Sequence, residues 1–252
     1  MSFLRPIIVL GGLLAIWQTA VSAFEIAPFI LPGPLSVISV AFERTDIIAR
    51  HALVTLSEIL LGLLFGTLFG SASALVMAYF RGARAWVLPV LVVSQAVPVF
   101  ALAPVLVLWF GYGMAPKVAM ATLIIYFPVT AAFYDGLRRT EVGWIDLART
   151  MGASKAAILY HIRLPAALPA FSSGLRVAAA VAPIGAVVGE WVGSSAGLGY
   201  YMLLMNGRVQ TAAMFAALFV LALMAVAIYF VIDRILRRLI DWQNELDPAV
   251  HD

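Results

Sequence analysis

The chain has 252 residues, of which 63% are hydrophobic and 12% charged, with a net charge of +3 and a mean hydropathy of +1.02. Charged residues make up roughly 25% of an ordinary soluble domain, so this composition excludes a soluble fold. The absence of cysteine excludes disulfides, thiolate metal sites and cysteine nucleophiles. The basic residues flank apolar runs instead of forming a patch with interleaved aromatics, which argues against nucleic acid as a partner.

The first apolar run, Ile7–Phe24, ends in Val21-Ser22-Ala23, an imitation of a signal-peptidase site. Its length matches the ~20 residues a helix needs to cross the hydrocarbon core. Further apolar runs come after it, so it reads as a retained first span.

Runs at 53–80, 86–110, 118–137, 170–192 and 211–232 complete an all-α membrane protein of about six spans. With the N-terminus in the cytoplasm, Arg5, Arg81, Arg84, Arg138, Arg139, Arg149, Lys155, Arg163, Arg234, Arg237 and Arg238 lie inside. Arg44, Arg50, Lys117 and Arg208 lie outside, a minority that supports cytoplasmic termini.

Between spans four and five stands "DLARTMGASKAAILYHIRLP", 146–165, a polar segment among greasy ones. Asp146 suits a helix start, and Leu147, Met151 and Ile158 supply an apolar face. Gly152, followed by Ala153 and Ser154, permits a turn between two short helices, which Pro165 ends after Leu164. The pattern predicts a cytoplasmic hairpin over 141–165 with a small apolar knob for another protein's groove.

That segment resembles the EAA loop of permease subunits of bacterial ATP-binding-cassette (ABC) importers. Asp146, Leu147 and Ala148 stand at the E-A-A positions, Gly152 at the glycine, and Ile162, Leu164 and Pro165 at the ending. Asp for Glu keeps the charge, while Leu for Ala changes the volume. "LPGP" (31–34), "PVFALAPVLVLWFGYG" (98–113) and "GEWVGSSAGLGYYM" (189–202) extend the likeness over most of the chain.

Within the family the chain is most similar to the branch importing sulfonates, taurine, nitrate and thiamine precursors, and the stretch ending in "GSSAGLGYYM" resembles permeases for thiamine pyrimidine precursors. The resemblance implies a homodimer with its path on the two-fold axis, seated on two ATPase subunits and fed by a periplasmic or lipid-anchored binding protein. It also implies that 146–165 is the coupling helix, and that the chain resides in the cytoplasmic membrane. No cofactor is called for, and no phosphate loop of the G-x-x-x-x-G-K-[ST] type occurs, so ATP chemistry falls to another chain.

Several residues stand out as candidates for the path. Gly62, Gly66, Gly70, Ala74 and Ala78 form a small-residue row along span two, suited to intrachain packing or a homodimer seam, and Ala170, Gly174, Ala178, Ala182 and Ala186 form a similar row along span five. Pro183 interrupts span five, with a kink expected near mid-membrane.

Glu190, one step beyond that row, could be an interfacial carboxylate held by Arg208 or loop amides, a substrate contact or part of a gate, with Trp191 beside it. Arg176 either snorkels toward the cytoplasm or lines a vestibule that attracts anions, and Glu58 reads as a snorkelling residue without function. Gln95 with Pro89, Pro98 and Pro104 makes span three a path wall or a packing element.

Two rival readings fail on the residues. "GSSAG" satisfies G-x-S-x-G, yet His161 and His251 fall in a cytoplasmic loop and the tail, and His51 lacks a supporting signature, so no serine hydrolase is expected. An ion-driven secondary transporter would call for internal repeats and deep acidic pairs, neither of which the sequence displays. The substrate stays open: Arg176 and the net charge favour an anion, while Trp191, Tyr200 and Tyr201 suit a flat ring.

Overall fold

A computed structural model of the chain describes residues 4–240, with side chains from Ile8 onward except at Leu10, Arg81, Gln95 and Ala96. Every regular element among them is a helix. These are α1 (Leu4–Ala23), α2 (Pro34–Glu43), α3 (Thr45–Tyr79), α4 (Arg81–Ala96), α5 (Val99–Phe110), α6 (Met114–Arg138), α7 (Val142–Thr150), α8 (Lys155–Ile158), α9 (Leu164–Trp191), α10 (Leu198–Gly207) and α11 (Thr211–Leu239). A π-turn at Leu159–Arg163 joins α8 to α9.

Among the described residues, α3, α6, α8 continued through α9, and α11 are each long and apolar enough to cross a membrane. The expected third span is broken: Gly82–Ser94 and Val99–Phe110 lie at 104° to each other. The break falls at Val97, extended at φ −83° and ψ 119°, because Pro98 excludes helical geometry from the residue before it. Pro89 and Pro104 are accommodated within their helices. Counted as one, the bent pair makes a fifth span, and α1 at 20 residues is about 30 Å long.

The interior is built on α6, which lies between α3 and α9. Small residues set the spacing: a methyl at Gly66 would sit 2.5 Å from Ile125, and one at Gly70 would meet Val129 and Thr130 at 3.0–3.1 Å. From the other side, Gly185 closes on Ala121 and Gly174 on the Pro128 carbonyl. Ala121, fully buried, is held between Gly62 and Gly185. Without a hydrophobic drive in lipid, such close backbone approach supplies the van der Waals contact that holds helices together. These members of both small-residue rows are therefore used within the chain.

Half of α9's apolar window is buried but only 22% of α11's, so α9 is central and α11 peripheral. Leu218, Phe219, Leu223, Val226 and Phe230 of α11 are exposed on the outer surface, where lipid chains are a compatible solvent. Pro183, the site of the expected kink, is buried inside α9, with helix on both sides of it. Likewise Pro165 does not end the hairpin's second helix: the π-turn widens the helix just before it, and α8 runs on into α9.

Candidate functional site: a buried loop anchor and an exposed hairpin

Two sites lie at opposite ends of α3. The first gathers at its N-terminal third, where His51, Thr55 and Glu58 fall on one face at three- and four-residue spacing. Opposite them come Lys117 from the first turn of α6, Glu190 from the end of α9, and the backbone of residues 197–200, which opens α10.

Four successive amides meet three side-chain acceptors. Gly197 N–H donates to His51 Nδ1 at 3.0 Å, Leu198 N–H to Thr55 Oγ1 at 2.8 Å, and Gly199 and Tyr200 N–H to Glu190 Oε2. Thr55 Oγ1 donates to Glu190 Oε1 at 2.5 Å. The first four amides of a helix lack intrahelical acceptors, and a carboxylate is the preferred partner at that positive end.

Glycine is required for this arrangement. Gly197 has φ +114°, and a methyl there would collide with the Glu190 carboxylate. The "GLG" run thus lets an acid sit directly over the start of α10.

Beside this, Lys117 Nζ donates to Glu58 Oε1 at 2.7 Å, with both side chains buried. Glu58 Oε2 is enclosed and receives no hydrogen bond. His51 packs on Tyr201 and Tyr200, with ring centroids 5.1 and 6.0 Å away.

Several expectations change here. Glu190 is bound by loop amides and Thr55, as one reading held, and Arg208 is not its partner. Glu58 does not snorkel but lies fully buried in an ion pair, since a neighbouring ammonium removes the penalty that would drive it to water. Lys117, counted as a loop cation, is that ammonium. Glu58 and Glu190 are thus both buried, contrary to the expectation of no paired acids, and α3 and α9 bring them into one cluster from positions far apart in sequence.

Arg176 does not stand free. Its Nε donates to Asp233 of α11 at 2.7 Å, and Asp233 also holds Arg237 at 2.8 Å. Trp191 is half exposed at the end of α9. The side chain of Gln95 and all of His251 lie outside the described residues.

The second site is the hairpin. α7 closes in a Schellman turn: Ala153 N–H reaches the Ala148 carbonyl and Gly152 N–H the Arg149 carbonyl, each at 2.9 Å, with Gly152 at φ +79°. Ser154 then caps α8, its hydroxyl accepting from Ala157 N–H at 3.2 Å.

Asp146 is not at a helix start as expected. The helix begins four residues earlier, because Glu141 leaves helical geometry there, and Asp146 pairs with Arg149 on an exposed face. The expected single apolar face divides as well. Leu147 and Met151 are 62% and 78% exposed, joined by Trp144, whereas Ile158 is buried. A cleft of about 520 Å³ separates this knob from Ile162, Pro165 and Ala166.

The second arm binds the membrane helices. Leu159 packs with Met77, Phe133 and Leu137, Lys155 lies 4.6 Å from the Tyr79 ring, and Arg163 spans the ends of α3 and α6. Tertiary pairings such as Glu58 with Lys117, Arg176 with Asp233 and Arg163 with Leu137 were missed in the sequence. The one available signal was a charge inside an apolar run, which must find a partner.

Comparison with known proteins agrees with this architecture. Residues 62–242 match the family described as "Binding-protein-dependent transport system inner membrane component". A probable ABC transporter permease protein of Haemophilus influenzae is 55% identical over 237 residues, 94% of this chain and 97% of the relative. The formylaminopyrimidine transport permease protein of Halalkalibacterium halodurans is 36% identical over 244 residues, covering 96% and 97%. In fold, the chain is similar to a subunit of the inward-facing MetNI methionine ABC transporter, with a TM-score of 0.67 at 21% identity over 78% of this chain and 97% of that one. The chain belongs to the inner-membrane permease components of binding-protein-dependent ABC importers, in the branch that includes thiamine-precursor permeases.

Proposed function

We propose that this permease carries a formylated aminopyrimidine or a closely related thiamine precursor inward, working as a homodimer on two ATPase subunits and receiving solute from a periplasmic or lipid-anchored binding protein. The observation that carries the substrate is the similarity to the formylaminopyrimidine permease along nearly the full length of both chains. The pairing of Arg176 with Asp233 supports it, since that arginine's charge is already neutralised and is a poor lure for an anion. Trp191, half exposed, remains suited to a flat ring, whereas Tyr201 is buried against His51.

The chain itself performs no chemistry in this reading. The knob of Trp144, Leu147 and Met151 enters a groove of the ATPase, with the hairpin and both termini in the cytoplasm. Nucleotide-driven closure moves the hairpin and alternates access to the path, to which Pro98, Gln95, Pro183 and Glu190 contribute as wall or gate. Glu190 acts as a gate component here, because it is only 1% exposed and engaged with Thr55 and the Gly199 and Tyr200 amides.

Uptake by vesicles holding the permease, its co-purified ATPase and its binding protein tests the proposal. Labelled formylaminopyrimidine should accumulate with ATP, unlabelled compound should compete, and taurine should not. Preferential uptake of taurine or an alkanesulfonate would move the chain to the other arm of its branch.

A further inference from the structure

The hairpin's second arm touches the membrane helices through apolar contacts and through Lys155 over the Tyr79 ring, neither of which fixes two helix ends at once. Arg163 differs. Its Nε and Nη2 donate to the Leu137 carbonyl at 2.9 and 2.7 Å, and its Nη1 to the Ala78 carbonyl at 3.4 Å. Leu137 lies in the last turn of α6 and Ala78 in that of α3, where carbonyls have no intrahelical donors and carry the negative end of the helix dipole.

A guanidinium presents its N–H groups in a rigid plane, so one side chain fixes two helix ends relative to each other and to its own backbone. Arg163 is also the last residue of the π-turn. Each residue added to a helix rotates the next side chain by about 100°, so the widened turn determines that Arg163 faces α3 and α6.

We propose that Arg163 is the strut through which displacement of the 141–165 hairpin is passed to α3 and α6, and along α3 to the Thr55–Glu190 anchor at its far end. It is a positioning residue, acting through the helices it joins. The proposal rests on the permease reading above, in which an ATPase moves the hairpin.

The native chain lacks cysteine, so spin-label pairs can be placed directly. In the permease alone, labels at Thr150→Cys and Val76→Cys report how tightly the hairpin is held to α3. In the complex with its co-purified ATPase, labels at Leu53→Cys and Ser195→Cys report the far end, without nucleotide and with ATP plus vanadate. Arg163→Met should broaden the first distance distribution at least ~2-fold and reduce the nucleotide response of the second at least ~5-fold, with ATP hydrolysis kept within ~2-fold. Arg163→Lys, which can hold one carbonyl but not fix both, should fall between.

Wild-type behaviour of both label pairs in Arg163→Met would overturn the strut. Loss of the ATPase or of hydrolysis in that variant would also overturn it, by making Arg163 part of the docking surface. A wild-type complex whose far-end distance ignores ATP would instead bring down the permease reading, and this inference with it.

Discussion

The two ends of α3 solve opposite problems. At the loop end, His51, Thr55, Glu58, Lys117 and Glu190 are turned inward and consume one another and the amides of residues 197–200. At the hairpin end, α7 holds Leu147 and Met151 out to solvent, and only the second arm is tied down. One end thus leaves an apolar surface uncovered, while the other holds its charged groups against one another and against backbone amides. Substitutions at the loop end should accordingly act on stability, and those on the knob on partnership.

The largest effect is expected at Gly197. Gly197→Val adds a side chain into the Glu190 carboxylate and a β-branched residue at φ +114°, and should prevent recovery of folded protein from detergent-solubilised membranes. A well-folded Gly197→Val protein would mean that α10 is not held by this anchor.

Next comes the buried ion pair. Lys117→Met leaves Glu58 unpaired and should cost about 3–5 kcal/mol, read as a fall in thermal midpoint in detergent. The double variant with Glu58→Gln should recover most of that loss, because the stranded charge is gone. Additive losses would show that the two do not act as a pair.

Leu147→Glu on the knob should leave the thermal midpoint within about 0.5 kcal/mol of wild type. The same change should abolish co-purification of the ATPase, because it puts a charge into an apolar contact. A stability loss matching that of Lys117→Met would erase the contrast between the two ends.

A smaller effect compares two turns of the same kind. α10 closes as α7 does, with Gln210 N–H on the Met205 carbonyl and Val209 N–H on that of Asn206, but the residue at φ +57° is valine where α7 has Gly152. Val209→Gly should raise stability by about 1 kcal/mol, and Gly152→Val should lower it by a similar amount. Equal, opposite shifts in thermal midpoint would confirm that both turns are governed by the left-handed residue. Asp146→Ala should be almost silent, at about 0.5 kcal/mol or less, since its pair with Arg149 is exposed and screened.

Much of the fold was legible in the chain. Apolar runs marked α3, α6, α9 and α11, and the glycine and serine spacing in 146–165 marked the hairpin, because turn and cap chemistry is local. The boundaries were less so. α3 begins at Thr45, well before the run at 53–80, with Ile48 packed on α10 and His51 bound to the Gly197 amide. The third span broke at Pro98, where local backbone sterics act within an otherwise continuous apolar run.

The site divided along the same line. Gly152, Ser154 and the exposed Leu147 and Met151 obey short-range rules, whereas Asp146 drifted inside its helix because Glu141 started the turn first. Glu190 stood out as an acid in a span, but its partners did not, because the amides that bind it become available only when α10 is folded against α3.

Composition and periodicity by themselves determined that this is an all-helical membrane protein with one polar hairpin, since transfer free energy and helix period depend on residue type and order alone. Which charges are paired, which glycines are filled by a neighbour and which residue joins the hairpin to the bundle were decided by tertiary structure. Those outcomes depend on distances between residues far apart in the chain, and a buried charge in an apolar interior is stable only where another element brings its counterpart within hydrogen-bonding reach.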